Sequence, residues 1–231
     1  VKIDNPDKQT HCLDSRYGEL GFAFPSLILI VGKRGSSKTT CALNIIGKSR
    51  YAGKPLDRIV IYHGDASGTE EYKILTDDGA TIVDELPPMD SWDNTKRNVL
   101  VVDEVNFLGF NRAEQAAFER YVNYGVSHKS LMMIVIVQDM RNLSPCVKRS
   151  ADYLLLYPSF NNRDVLYDLR RKTGHNYVEL MKLCGHKDNI TTVFKEEERT
   201  KVVDWHYNPM GVGMIIEAPA PPIPQQPKPV K

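Results

Sequence analysis

Five short apolar runs punctuate the chain, Leu27–Val31, Arg58–His63, Val99–Val102, Leu131–Val137 and Tyr153–Tyr157, and each gives way to small or polar residues. Runs of this length, rich in Val, Ile and Leu and showing little alternation, are the pattern of strands covered on both faces. Between them the apolar positions fall at helical spacing. Thr39–Lys48 carries Cys41, Ala42, Ile45 and Ile46, and Arg112–Tyr124 carries Ala116, Ala117, Tyr121 and Tyr124 on or near one face, which reads as a core face. Asn162–Lys172 carries Val165, Leu166 and Leu169, with a further short helix predicted at Tyr177–Cys184. Thr69–Leu75 is predicted as a short helix and Ala80–Val83 as a short strand, Arg141–Ser150 as a loop turning at Pro145, and Ile190–Phe194 with Lys201–Trp205 as paired edge strands. Strands alternating with helices predict an α/β fold with a central, mostly parallel sheet flanked by helices.

The 231 residues suit one such domain at 22–207, preceded by an irregular lead-in at 1–21 and followed by an arm at 208–231. From Pro219 onward six of thirteen residues are proline, which favours an extended polyproline-like segment that cannot pack a core. No apolar run reaches the ~18 residues of a membrane span and no signal-peptide pattern opens the sequence, so a soluble protein is expected. Cys12, Cys41, Cys146 and Cys184 lack disulfide or metal spacing. A net charge of +1 excludes a surface that grips nucleic acid everywhere and leaves only a local basic patch or a ring lumen.

The chemistry concentrates after the first run. Gly32, Lys33, Arg34, Gly35, Ser36, Ser37, Lys38, Thr39 and Thr40 follow an apolar strand and open a helix, the order a phosphate-binding (Walker A) loop requires. Backbone N–H groups from Lys33 to Thr39 would surround the β-phosphate, Lys38 would reach the β/γ oxygens, and the Thr39 hydroxyl would ligate Mg²⁺. The motif Gly-x4-Gly-Lys-Ser/Thr is met except at Ser37, which places a Cβ where glycine is usual.

The acidic counterpart lies about sixty-five residues further on, where Asn98–Glu104 ends in Asp103-Glu104. At the tip of a strand the first acid (Walker B) would hold the Mg²⁺ shell and the second would act as general base on the attacking water. The most hydrophobic run, Leu131–Val137, ends in the polar Gln138.

Taken in order, Phe22-Ala23-Phe24-Pro25, the phosphate loop, Asp103-Glu104, the stretch Tyr124 to Gln138, Arg149 and Tyr153 to Pro158 resemble the genome-packaging ATPases of the poxvirus type. Similar enzymes occur in iridoviruses, virophages, adintoviruses and Polinton/Maverick elements, within the FtsK/HerA branch of P-loop NTPases. The resemblance spans residues 22 to 173. It implies a RecA-like fold of the additional-strand class, with the Gln138 strand between the P-loop and acidic strands. It also implies a homo-oligomeric ring, pentamer or hexamer, that uses ATP and Mg²⁺ to drive double-stranded DNA into a preformed capsid. The expected setting is the host cytoplasm or nucleus at sites of virion assembly, with a capsid vertex protein contacted through the Pro-rich arm. Residue by residue it assigns nucleotide binding to Gly32 through Thr39, the metal-linked acid to Asp103, the base to Glu104, the sensor to Gln138 and an arginine finger to Arg149. Arg34, four residues before Lys38, matches an arginine in tailed-phage motors and competes for the finger role. Lys129 stands where many relatives have histidine.

Two other readings share parts of the pattern. A nucleotide kinase explains the loop but not Glu104 or Gln138. A nucleotide-dependent assembly protein, of the filamentous-phage morphogenesis type, would bind ATP and dock to coat protein without moving DNA. Under every reading Lys38 is central, and Lys38→Ala is expected to abolish ATP hydrolysis and weaken ATP binding; undiminished steady-state turnover would dismiss the phosphate-loop assignment.

Overall fold

The computed structural model describes residues 22–51, 53–65 and 70–157, position 170, and three strands at 189–196, 199–206 and 215–217. The lead-in at 1–21, the helices expected at Asn162–Lys172 (Arg170 excepted) and Tyr177–Cys184, and most of the Pro-rich arm lie outside these residues.

Six parallel strands form the centre: β1 (Ser26–Val31), β2 (Arg58–His63), β3 (Thr81–Val83), β4 (Asn98–Asp103), β5 (Leu131–Val137) and β6 (Tyr153–Leu156). Three antiparallel strands, β7 (Asn189–Glu196), β8 (Arg199–His206) and β9 (Ile215–Glu217), continue the sheet from β6, giving the order β3-β2-β4-β5-β1-β6-β7-β8-β9. The two expected edge strands do pair with each other, but β7 also joins β6 and β8 is covered by β9, so neither is a free edge. β5 lies between the P-loop strand and the acidic strand, pairing Ser26–Val31 on one side and Asn98–Val102 on the other. All seven of its residues are buried, which is why it carries no polar position.

Alternation along the strands separates two apolar layers. Leu27, Leu29 and Val31 face one side with Met133, Val135 and Val137, whereas Ile28 and Ile30 face the other with Ile134 and Ile136. On the second side Cys41, Ala42, Ile45 and Ile46 of helix α1 (Lys38–Lys48) cover the sheet, as their spacing predicts. The first side is covered by α3 (Arg112–Arg120), by a π-helical turn at Tyr121–Gly125 that runs into α4 (Val126–His128), and by α5 (Pro145–Ser150). A short helix, α2 (Lys73–Asp77), follows a 3-10 turn at Glu70–Tyr72 near the tip of β2.

The structure departs from two sequence expectations. Tyr121 of the Arg112–Tyr124 segment is buried as expected, but its inward companions are Phe118 and Val122, while Ala116 and Ala117 are exposed and Tyr124 is 41% exposed. Aromatic area outweighs two methyl groups, and the π turn lets the adjacent Tyr121 and Val122 both point inward. Tyr121 is anchored by the Trp92 indole N–H, which donates to its hydroxyl at 2.6 Å. Outside, Tyr124 stacks on His128 with ring centroids 4.2 Å apart. The segment Arg141–Ser150 is not a loop: Met140–Asn142 is a 3-10 turn and α5 follows, capped by the Ser144 hydroxyl, which accepts from the Val147 N–H. Pro145 sits at the first helical position, where its missing N–H costs nothing, and so starts a helix instead of breaking one.

Ile134, fully buried in mid-sheet, should be among the costliest truncations: Ile134→Ala is expected to lower unfolding free energy by about 3–5 kcal/mol. Leu108, 74% exposed, should change it by no more than about 0.5 kcal/mol when made Ala. Urea unfolding of the two variants checks the contrast.

Candidate nucleotide site

The parallel registers bring the C-terminal ends of β1, β4 and β5 to one edge of the sheet. There the chain leaves β1 through Gly32, whose N–H donates to the Val137 carbonyl at 3.2 Å. A Cβ at Gly32 would lie 2.7 Å from the Ser36 hydroxyl oxygen and 2.8 Å from the Tyr157 Cβ, so only glycine fits this close approach. Gly35 turns the loop with φ 74°. The Ser36 hydroxyl donates to the Lys33 carbonyl at 2.8 Å, closing the loop on itself. Ser37, the departure from the motif, adopts φ 63°, ψ 33°, the left-handed conformation that glycine takes without cost. Its carbonyl accepts from the Tyr157 hydroxyl at 2.9 Å and from the Cys41 N–H at 3.1 Å, and these two bonds hold the strained residue in place.

Helix α1 begins at Lys38 with no side-chain cap and no acidic residue in its first turn. Its free N–H groups and positive dipole end therefore face the loop uncompensated, the arrangement that binds an anion. Beneath it, burial pushes the Cys41 thiol up to about 12, leaving it an inert packing group. The Lys38 ammonium donates to the Lys33 carbonyl at 2.9 Å across the loop. Burial lowers its pKa, opposed by the carboxylates of Asp103, Glu104 and Glu71.

The acidic strand meets the loop at Asp103, which is 4% exposed. Its Oδ2 accepts from the Thr39 hydroxyl at 3.0 Å and from the Tyr72 hydroxyl at 2.7 Å, while its Oδ1 accepts from the Glu104 N–H at 2.9 Å. Glu104 leaves the strand with φ 52°, an abrupt turn that places its exposed side chain beyond the strand tip. Gly64, at the end of β2, permits that turn, because a Cβ there would stand 2.2 Å from the Glu104 carbonyl oxygen.

Lys38, Thr39, Asp103 and Glu104 are thus brought together as the sequence predicts. Gln138 follows β5 directly and is exposed at the same edge. Lys33, Arg34 and Thr40 are also exposed around the loop. Arg149 is elsewhere. It lies in the last turn of α5, three residues before Asp152, whose N–H and carboxylate bond to the Leu27 backbone at the opposite end of β1. With about 3.3 Å per residue, the strand separates Arg149 from its own loop by on the order of 15 Å. The arginine is exposed, with no ion pair among the described residues.

Sequence reasoning missed four neighbours of the site: Tyr72, Glu71, His63 and Tyr157. Tyr72 and Glu71 arrive from a turn whose sequence carries no motif. His63 ends an apolar strand; it is buried in register with Asp103, and its Nδ1 accepts from the Asp65 N–H at 3.1 Å. Tyr157 reads as the end of a strand.

The donor set fits a Mg²⁺–nucleotide: one hydroxyl already bonded to an acceptor-only carboxylate, an ammonium at the loop, and an uncapped helix N-terminus that the loop leads into. Genome packaging NTPase B204 from Sulfolobus turreted icosahedral virus 2, in complex with ATP-gammaS, superposes with a TM-score of 0.53 at 16% identity, covering 77% of this chain and 96% of B204. Its complex with AMP gives 0.52 at 16% identity over the same shares. B204, the DNA-packaging ATPase from Sulfolobus turreted icosahedral virus, gives 0.52 at 15%, again covering 77% and 96%.

The fold is that of a P-loop NTPase. No protein-family model matches the sequence, and no curated protein does either. No helix among the described residues is long and apolar enough to cross a membrane.

The left-handed Ser37 yields a quantitative expectation. A non-glycine residue in this conformation costs about 1–2 kcal/mol, and glycine returns about 0.5–1 kcal/mol as lost chain entropy on folding. Ser37→Gly should therefore raise the unfolding free energy by roughly 0.5–1 kcal/mol while nucleotide binding persists. A fall in the urea midpoint would show that the serine side chain contributes more than its backbone costs.

Proposed function

We propose that this chain is an ATPase that drives double-stranded DNA into a preformed viral capsid as one subunit of a homo-oligomeric ring. The observation that carries the reading is the hydrogen bond from Thr39 to Asp103, which ties the phosphate loop to an acidic strand whose next residue is Glu104. Bound Mg²⁺ would supply charge neutralisation at the β- and γ-phosphate oxygens. Thr39 and Asp103 would hold it, and the loop N–H groups with Lys38 would orient the phosphates. Glu104, projecting past the strand tip, would take a proton from the attacking water, and Gln138 would contact the γ-phosphate side from β5. A kinase of small nucleotides does not need such a base. The likeness to B204 over most of both chains supports the packaging role among P-loop functions.

The position of Arg149 supports a ring. At the far end of the sheet from its own loop it can serve only a neighbour's nucleotide, whereas Arg34 at the loop itself can act within one subunit. The Pro-rich arm would dock on a capsid vertex protein at host-cell sites of virion assembly.

Long duplex DNA is expected to stimulate ATP hydrolysis, and Glu104→Gln to bind ATP without turning it over. An arginine acting in trans is worth about 10³–10⁵ in rate, so Arg149→Ala alone should be nearly inactive. Mixed with Lys38→Ala protein it should regain activity, because some interfaces then pair an intact loop with an intact arginine. Hydrolysis indifferent to DNA would instead favour a nucleotide-dependent assembly protein. A mixture that stays inactive at every ratio while Arg34→Ala is also inactive would move the finger to Arg34.

A further inference from the structure

We infer that Tyr72 is a positioning residue for the metal-linked acid, holding the Asp103 carboxylate in the orientation in which Oδ2 meets the phosphate loop. The inference rests on the Mg²⁺–nucleotide reading of the site and adds to it a residue that no sequence motif marks.

Asp103 offers about four lone-pair sites on its two oxygens. Three are filled by the chain itself: Thr39 and Tyr72 hydroxyls on Oδ2, and the Glu104 N–H on Oδ1. The three donors differ in firmness. Thr39 belongs to the phosphate loop, and its hydroxyl oxygen is the atom expected to turn to the ion. The Glu104 N–H belongs to a residue in a strained turn. Tyr72 alone comes from a rigid, 1% exposed ring, packed with Ile61 and Val101 in the apolar layer and set edge-on to His63 at 6.0 Å. Its hydroxyl sits 2.7 Å from Oδ2, the shorter of the two contacts to that oxygen. A carboxylate held by such a donor cannot swing about its Cβ–Cγ bond when Thr39 shifts toward an ion.

The same turn also bears on the lysine. Glu71, adjacent to Tyr72, is one of the three carboxylates acting on the Lys38 ammonium. The 3-10 turn Glu70–Tyr72 therefore addresses both the acid and the cation of the site from a segment between β2 and β3. Its role resembles that of outer partners of metal ligands generally, whose removal costs about 10–100-fold in metal affinity.

Tyr72→Phe in the full chain tests this, since it deletes one oxygen and keeps the ring. The measurement is binding of a fluorescent ADP analogue, which needs no turnover, titrated with Mg²⁺ and repeated in EDTA. The expected result is a Mg²⁺ half-saturation raised about 10–100-fold, with unchanged nucleotide affinity in EDTA and a melting temperature within about 5 °C of wild type. A half-saturation within about twofold of a Mg²⁺-dependent wild type would overturn the role of Tyr72 alone and leave the nucleotide site standing. A melting temperature lowered by much more would show that the hydroxyl serves the fold, and would overturn it equally. Wild-type binding that ignores Mg²⁺ altogether would remove the reading of the site and the inference with it.

Discussion

Everything at the nucleotide edge depends on one buried carboxylate. Asp103 stands at the tip of a wholly buried strand, directly after four apolar residues, so its charge is tolerable only because three donors from three separate pieces of chain converge on it. Through Thr39 it fixes the start of α1, through Tyr72 the turn after β2, and through its own neighbour's N–H the departure of Glu104. A group that must be satisfied by partners distant in sequence acts as a registration mark: the loop, the turn and the strand can meet in one arrangement only. Gly32 and Gly64 serve the same end by absence of side chain, each allowing a contact that a Cβ would forbid.

The sheet makes that convergence rigid. β5 separates the two chemically active strands and is the least polar element of the chain, so the loop and the acid are spaced by close-packed apolar residues and not by anything that can adapt. The loop and the acids lie together at the edge where the strands end, the usual place for ligands in open α/β sheets. Arg149 lies towards the opposite end of the strands, where Asp152 bonds to the Leu27 backbone.

Much of this was legible in the sequence, for identifiable reasons. Strands buried on both faces announce themselves, and β2 and β5 fall on their predicted boundaries. The phosphate loop and Asp103-Glu104 were visible because backbone approach to phosphate and metal-linked acidity demand fixed residue types at fixed spacing. Tyr72 was not visible, because a phenol can reach a carboxylate from any neighbouring segment and leaves no pattern. α5 was misread since Pro145 both starts and breaks helices, and six residues give no period to decide between them. The alanines of α3 misled because apolar character alone does not say which face carries the larger area. Ser37 shows the converse: the motif marked it as irregular, and the backbone there is indeed the conformation for which glycine is the usual choice.

The two halves of the sheet differ in how soon they can form. β7 and β8 are joined by two residues and pair along their length, Glu196 against Arg199 nearest the turn, so that hairpin needs nothing but itself to close. β1 is in the contrary position. Its partners β5 and β6 lie more than a hundred residues later in the chain, Ser26 meeting Met132 and Ile28 meeting Tyr153. At synthesis rates of about 5–20 residues per second, the strand that carries the phosphate loop waits unpaired for roughly 5–20 seconds after it is made. The most apolar part of the nucleotide site is therefore also the part left longest without its neighbours, and chaperone capture or aggregation during synthesis would begin at Leu27–Val31.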